Sequence, residues 1–147
     1  GPDTAVSGER GLLLVPDELC DDCPQADAAE LLRQTGCHSL HRLQYNGPEA
    51  LGAATPDELA RALAEHVPTA LFLLQEAWQP PLKETEQMLS GLRQVIGQQI
   101  AITILLVGRP TPQTILTPAE PEQVKVWSRK IQAMDDPCLT VQPLVQP

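Results

Sequence analysis

The sequence predicts an α/β domain built on a single doubly wound, mostly parallel five-stranded sheet flanked by helices. Three observations lead there. Short apolar runs alternate with segments whose apolar residues recur three and four apart, giving the order β-α-β-α-β-α-β-α-β. That alternation calls for right-handed crossovers between parallel strands. The runs Ala70–Leu74 and Ile100–Val107 are almost continuously apolar, as central strands covered on both faces must be. The run Ser39–Tyr45 carries Arg42 and Gln44, and the last run contains Pro143; both features suit edge strands. Together they yield the strand order 2-1-3-4-5 of flavodoxin-like and Rossmann-like sheets.

Each element has a local reason. Gly11-Leu12-Leu13-Leu14-Val15 reads as the first strand, stopped by Pro16. A helix over Pro24–Thr35 follows, with Ala28, Leu31 and Leu32 as its stripe, Pro24 in its first turn and Gly36 just past its end. Ser39–Tyr45 is the second strand, ended by Asn46-Gly47-Pro48. Thr55-Pro56-Asp57-Glu58 has the residues of a capping box, and Leu59, Ala62, Leu63 and His66 then share one face before Pro68. Thr69–Leu74 is the third strand. Beyond Pro80-Pro81, the positions Leu82, Thr85, Met88, Leu89, Leu92, Val95 and Ile96 describe an amphipathic helix closed by Gly97. Ile100–Val107 is the fourth strand. Thr117-Pro118-Ala119-Glu120 repeats the capping pattern ahead of the stripe Val124, Trp127, Ile131 and Met134, and Cys138–Val145 is the fifth strand. Leu73 and Leu105 should be fully buried in adjacent central strands.

Length and composition bound the rest. The chain has 147 residues, 42% of them apolar, enough for one domain with a core that needs no disulfide. Residues 1–10 read as a linker or disordered lead-in, and 11–147 as a single α/β domain. The start Gly1-Pro2-Asp3 lacks a Met and reads as a boundary within a longer chain, with Gly1 a tag remnant. The formal net charge of −9 repels phosphate backbones and anionic lipid, which argues against nucleic-acid and membrane-surface partners. No apolar run approaches the ~20 residues that cross a bilayer, and no signal peptide is visible.

Ligands of doubly wound sheets sit at the carboxyl ends of the strands, near the switch in strand order. Here the loop after the first strand is Pro16-Asp17-Glu18-Leu19-Cys20-Asp21-Asp22. It holds four carboxylates and no glycine, whereas a phosphate cradle needs bare backbone N–H groups and commonly a Lys. Neither G-x-G-x-x-G nor a Walker pattern occurs, so no nucleotide or other cofactor is expected. Asp17 and Glu18 also invite comparison with phospho-receiver domains, but those need an Asp ending the third strand and a Lys ending the fifth. Gln75-Glu76-Ala77 stands at the first place, and the fifth strand has no Lys. A solvated acidic loop, open to a protein partner, is the simpler reading.

Cys20-Asp21-Asp22-Cys23-Pro24 has the spacing of a thiol redox pair. Its two aspartates oppose thiolate formation. Cys20, Cys23, Cys37 and His38 have the residue types of a zinc site, yet a helix of roughly 11 residues, about 16 Å long, separates the two pairs. Structural thiols and no metal are the plainer expectation. His38, His41 and His66 stand near no nucleophile pattern and read as boundary residues. Trp78, after the third strand, is either an anchor for a partner or a lid on the following helix.

From Thr69 to Val145 the chain resembles a bacterial family of unknown function, inner-membrane proteins whose genes lie beside that of a GTPase-like protein. The resemblance is carried by Leu71-Phe72-Leu73-Leu74-Gln75-Glu76-Ala77-Trp78-Gln79-Pro80-Pro81, by Ile104-Leu105-Leu106-Val107-Gly108, and by Val126-Trp127 with Asp136-Pro137-Cys138-Leu139. It implies a soluble portion of a membrane protein, at the cytoplasmic face of the inner membrane and attached only through segments outside this chain. It also implies a GTPase-like sheet without a phosphate loop, with the GTPase-like protein as a candidate partner. The resulting expectation is a non-enzymatic interaction or regulatory domain. A redox domain using Cys20 and Cys23, or a degenerate nucleotide-binding fold, is the alternative.

Overall fold

The computed structural model describes residues 9–20, 28–46, 57–77, 82–108, 119–132 and 134–144. Its elements run β1 (Arg10–Pro16), α1 (Asp17–Cys20), α2 (Ala28–Thr35), β2 (Ser39–Tyr45), α3 (Asp57–His66), β3 (Ala70–Glu76), α4 (Leu82–Ile96), β4 (Ala101–Val107), α5 (Pro121–Gln132) and β5 (Leu139–Pro143). The strands form one open five-stranded sheet in the order β2-β1-β3-β4-β5, and every neighbouring pair is parallel. The doubly wound sheet is therefore the fold, with the polar strand and the proline-bearing strand at its two edges. Pro143 is tolerated there because its residue faces away from β4; Leu144, one step on, donates to Leu106 O at 2.9 Å.

Strand alternation divides the core in two. Leu12, Leu14, Leu71, Leu73, Ile102 and Ile104 point to one face and meet Leu59, Met88, Leu92 and Trp127 from α3, α4 and α5. Leu13, Val15, Phe72, Leu74, Leu105 and Val107 point to the other, with Leu31 from α2 and Leu19 from α1. Leu73 and Leu105, in adjacent strands, are 0% and 3% exposed. On the second face Gly11 leaves room for the residues at the start of β2: a Cβ there would stand 2.7 Å from Leu40 Cδ1 and 2.9 Å from Cys37 Sγ, so a larger residue would push those side chains aside. Two helices end as their sequences predict. Gly36 (φ 71°) donates to Leu32 O at 3.1 Å, and Gly97 (φ 80°) to Arg93 O at 3.0 Å.

Several boundaries differ from expectation. β1 starts at Arg10, because Arg10 N–H reaches Thr69 Oγ1 (2.9 Å) and Thr69 N–H reaches Arg10 O (2.8 Å). β3 runs two residues past Leu74, where Gln75 and Glu76 pair with Leu106 and Val107. The loop after β1 opens with a helical turn, α1, because it has an apolar residue to bury: Leu19 is 1% exposed. α5 begins at Pro121, and the capping role falls to Glu120, whose N–H donates to Gln123 Oε1 at 3.0 Å. A proline without an N–H fits the first helical position. Val95 departs from the stripe of α4 and is exposed, while Arg93 is buried in its place. The starts placed at Pro24 and Thr55-Pro56, and the caps Thr117-Pro118, lie outside the described residues.

Candidate functional site

The carboxyl edge of the sheet is where this fold places ligands, and its described part is internally closed beside β1 and open in one respect beside β3. Pro16 ends β1 without an N–H to offer. Asp17 follows at once, half-buried, and its carboxylate accepts a 2.6 Å hydrogen bond from Gln44 Nε2 of β2. The turn after β1 therefore ties β1 to β2 through an anion, in the place where a phosphate-binding sheet presents donors. Glu18 and Cys20 belong to α1, but their side chains lie outside the described residues. Cys23 and Trp78 lie outside them altogether, so the C-x-x-C pair and the tryptophan anchor have no described geometry.

Beside β3, Ala77 N–H continues the ladder to Val107 O at 3.0 Å. Its carbonyl accepts the buried indole N–H of Trp127, which clamps α5 to the end of β3. Between Leu73 and Ala77 on that same face stands Gln75. It is 3% exposed, and neither its Nε2 nor its Oε1 has a hydrogen-bond partner among the described residues. A buried amide left unpaired costs about 1–3 kcal/mol. Among the described residues it is the buried side chain with unspent donor and acceptor capacity, and it stands next to the switch point between β1 and β3.

The amino edge is built differently. Arg93, 8% exposed at the end of α4, lays its guanidinium against Asp136, Nε to Oδ2 at 2.6 Å and Nη2 to Oδ1 at 2.9 Å. Its Nη1 donates to Gly97 O (3.0 Å) and Ile100 O (2.5 Å). Asp136 Oδ1 also accepts from Cys138 N–H at 3.0 Å. One arginine so joins the end of α4, the entry to β4 and the entry to β5, with each charge paired and bidentate. Beside it, a cavity of about 330 Å³ is lined by Ser128 and Ile131 of α5, Asp135, and Leu139, Thr140 and Val141 of β5. It lies on the β5 edge, across the sheet from the acidic turn after β1, and Asp136 within its lining is already committed to Arg93.

Cys37 is buried at the amino end of β2, packed on Gly11, and burial pushes its thiol up from the usual range. That disfavours a reactive thiolate. β1 and β2 are parallel, so Cys37 stands at the amino edge while the chain reaches Cys20 beyond the carboxyl edge, a strand length of about 20 Å away. Among the described residues no group of three or more His, Cys, Asp or Glu side chains is placed to hold a metal ion. His38 is exposed, and His41 and His66 are partly buried and stacked on one another. No described helix is long and apolar enough to cross a membrane.

Four features escaped the sequence reading: Gln75, the Trp127 clamp, the Arg93–Asp136 pair and the histidine stack. Gln75 had a visible signal, a polar residue at an inward position of an otherwise apolar strand. The pair Arg93–Asp136 had none, since 43 residues separate its members. A family model described as a protein of unknown function (DUF2868) matches residues 2–136. The match thus reaches well ahead of the Thr69–Val145 stretch that carried the resemblance. No curated protein matches the chain.

Proposed function

We propose, for a chain that belongs to the DUF2868 family of proteins of unknown function, a non-enzymatic role as an interaction or regulatory domain of a larger, membrane-attached bacterial protein. The observation that supports it is the acidic turn after β1. At the position where a related sheet would receive phosphates, Asp17 ties back to Gln44, and Pro16 removes a donor. A phosphate approaching this turn meets carboxylates in place of N–H groups. The acidic sequence of the same turn suits a protein surface of opposite sign, and charge of this kind governs the rate and selectivity of docking. Attachment to the cytoplasmic face of the inner membrane rests on the resemblance of Thr69–Val145 to the inner-membrane family, through segments beyond this chain. The GTPase-like protein encoded beside that family is the partner to try first.

The test is titration calorimetry of the domain against that GTPase-like protein, and separately against GTP, ATP and FMN with and without Mg²⁺. The proposal expects saturable binding of the protein, weakened about tenfold or more in Glu18→Lys, as loss of a close interfacial charge pair produces. It expects no nucleotide binding tighter than roughly 10 μM, about −7 kcal/mol. A nucleotide bound more tightly than that, or a partner surface indifferent to Glu18, would overturn it.

A further inference from the structure

His41 and His66 are brought face to face by the fold alone. His41 is the third residue of β2 and faces the α3 side, level with Leu12 of β1. His66 is the last residue of α3. Their ring centroids are 3.6 Å apart and their planes meet at 23°. We infer that this stack is an acid-released clasp, which holds the last turn of α3 on β2 when at most one ring is charged and lets it go when both are.

The surroundings give the clasp its direction. From α3, the Glu65 carboxylate lies 4.0 Å from His66 Nε2 but is largely exposed, so water screens most of its attraction. On β1 the residue level with His41 is apolar Leu12. Within β2, Leu40 and Arg42 point to the opposite sheet face by strand alternation. At the turn itself stands another cation, Arg10, whose Nε donates to Val67 O at 2.9 Å. Two imidazolium rings in contact would thus repel each other, and the Glu65 carboxylate that lies near them is solvated. Burial, then the His66 charge, push His41 below the ordinary histidine range, and Glu65 opposes them.

The turn that would open is already strained. Val67, immediately after His66, sits at φ 42°, a left-handed conformation that a β-branched residue resists, and it is 59% exposed. It is held by its N–H to Leu63 O (3.0 Å) and by Arg10. Release of the stack lets Val67 relax, so strain and charge act together. The sign follows from proton linkage. Because the folded His41 is depressed, the unfolded or opened chain binds more protons, and the stability of this turn is lost as pH falls below the ordinary histidine value of about 6.5.

Amide hydrogen exchange from pH 7.5 to 5.0, corrected for the intrinsic pH dependence, reads the clasp at the Val67 amide. Two unit charges about 4 Å apart, even when screened as fully as in bulk water, predict a loss of protection of roughly fivefold or more on acidification. His66→Phe keeps a ring in the stack but no charge, and its protection should be independent of pH. Flat protection in the wild type, or the same acid loss in His66→Phe, would overturn the inference. Should that variant fold poorly, an imidazole NMR titration of the wild type decides alone. The clasp requires the His41 ring to titrate below the ordinary histidine range, and a His41 that titrates within it would sink the inference.

Discussion

The two edges of the sheet are built to opposite rules. At the amino edge every described buried polar group has a partner, and those partners cross between elements: Arg93 to Asp136, Gly97 and Ile100, and Thr69 to Arg10. At the carboxyl edge the strand that flanks the switch point buries Gln75 with both ends of its amide unpaired among the described residues. The first arrangement leaves any single partner costly to remove. The second sacrifices some stability at the place where doubly wound sheets meet their ligands and partners. A polar group removed from the amino edge should therefore cost stability, and one removed from Gln75 should restore it.

The largest effect is expected at Arg93. Arg93→Ala takes the cation from the part-buried Asp136 carboxylate, leaving it the Cys138 N–H, and strips two carbonyls of their donor. Chemical denaturation should show a loss of about 3–5 kcal/mol. A loss under 1 kcal/mol would mean that the amino edge is not held by this pair. A smaller loss is expected for Trp127→Phe, which keeps most of the ring volume but orphans the Ala77 carbonyl; about 1–3 kcal/mol is the cost of such a group. If the change is neutral, the clamp between α5 and β3 is packing alone. The smallest effect has the opposite sign. Gln75→Leu is close in volume and removes that amide, so the free energy of unfolding should rise by about 1 kcal/mol. Destabilisation by that variant would show that Gln75 has a partner in solution and that the two edges do not differ.

The elements were legible because their signals are local. Period-two and period-3.6 patterns, Gly36, Gly97 and the edge features of Ser39–Tyr45 and Pro143 all act within a few residues. The boundaries were less so. The capping pattern at Thr117 was followed three residues later by a second competent start, Glu120-Pro121-Glu122-Gln123, and the described helix uses that one. Val95 fits the stripe of α4 by spacing, yet Arg93 takes the buried place because Asp136, Gly97 and Ile100 converge on it.

By itself, the sequence determined the fold class, the parallel order of the strands, the two central strands and the acidic character of the turn after β1. These follow from hydrophobic periodicity and from residues such as proline and glycine, whose backbone preferences do not depend on distant neighbours. Only the tertiary structure decided that Arg93 meets Asp136, that His41 lies on His66, that Trp127 clamps Ala77 and that Gln75 is left alone. Each of these joins residues 25 or more apart in the chain, or records the absence of such a partner. A hydrogen bond or ring contact needs its atoms within a few ångströms, and that nearness is set by register and helix packing across the whole sheet, which no local pattern encodes.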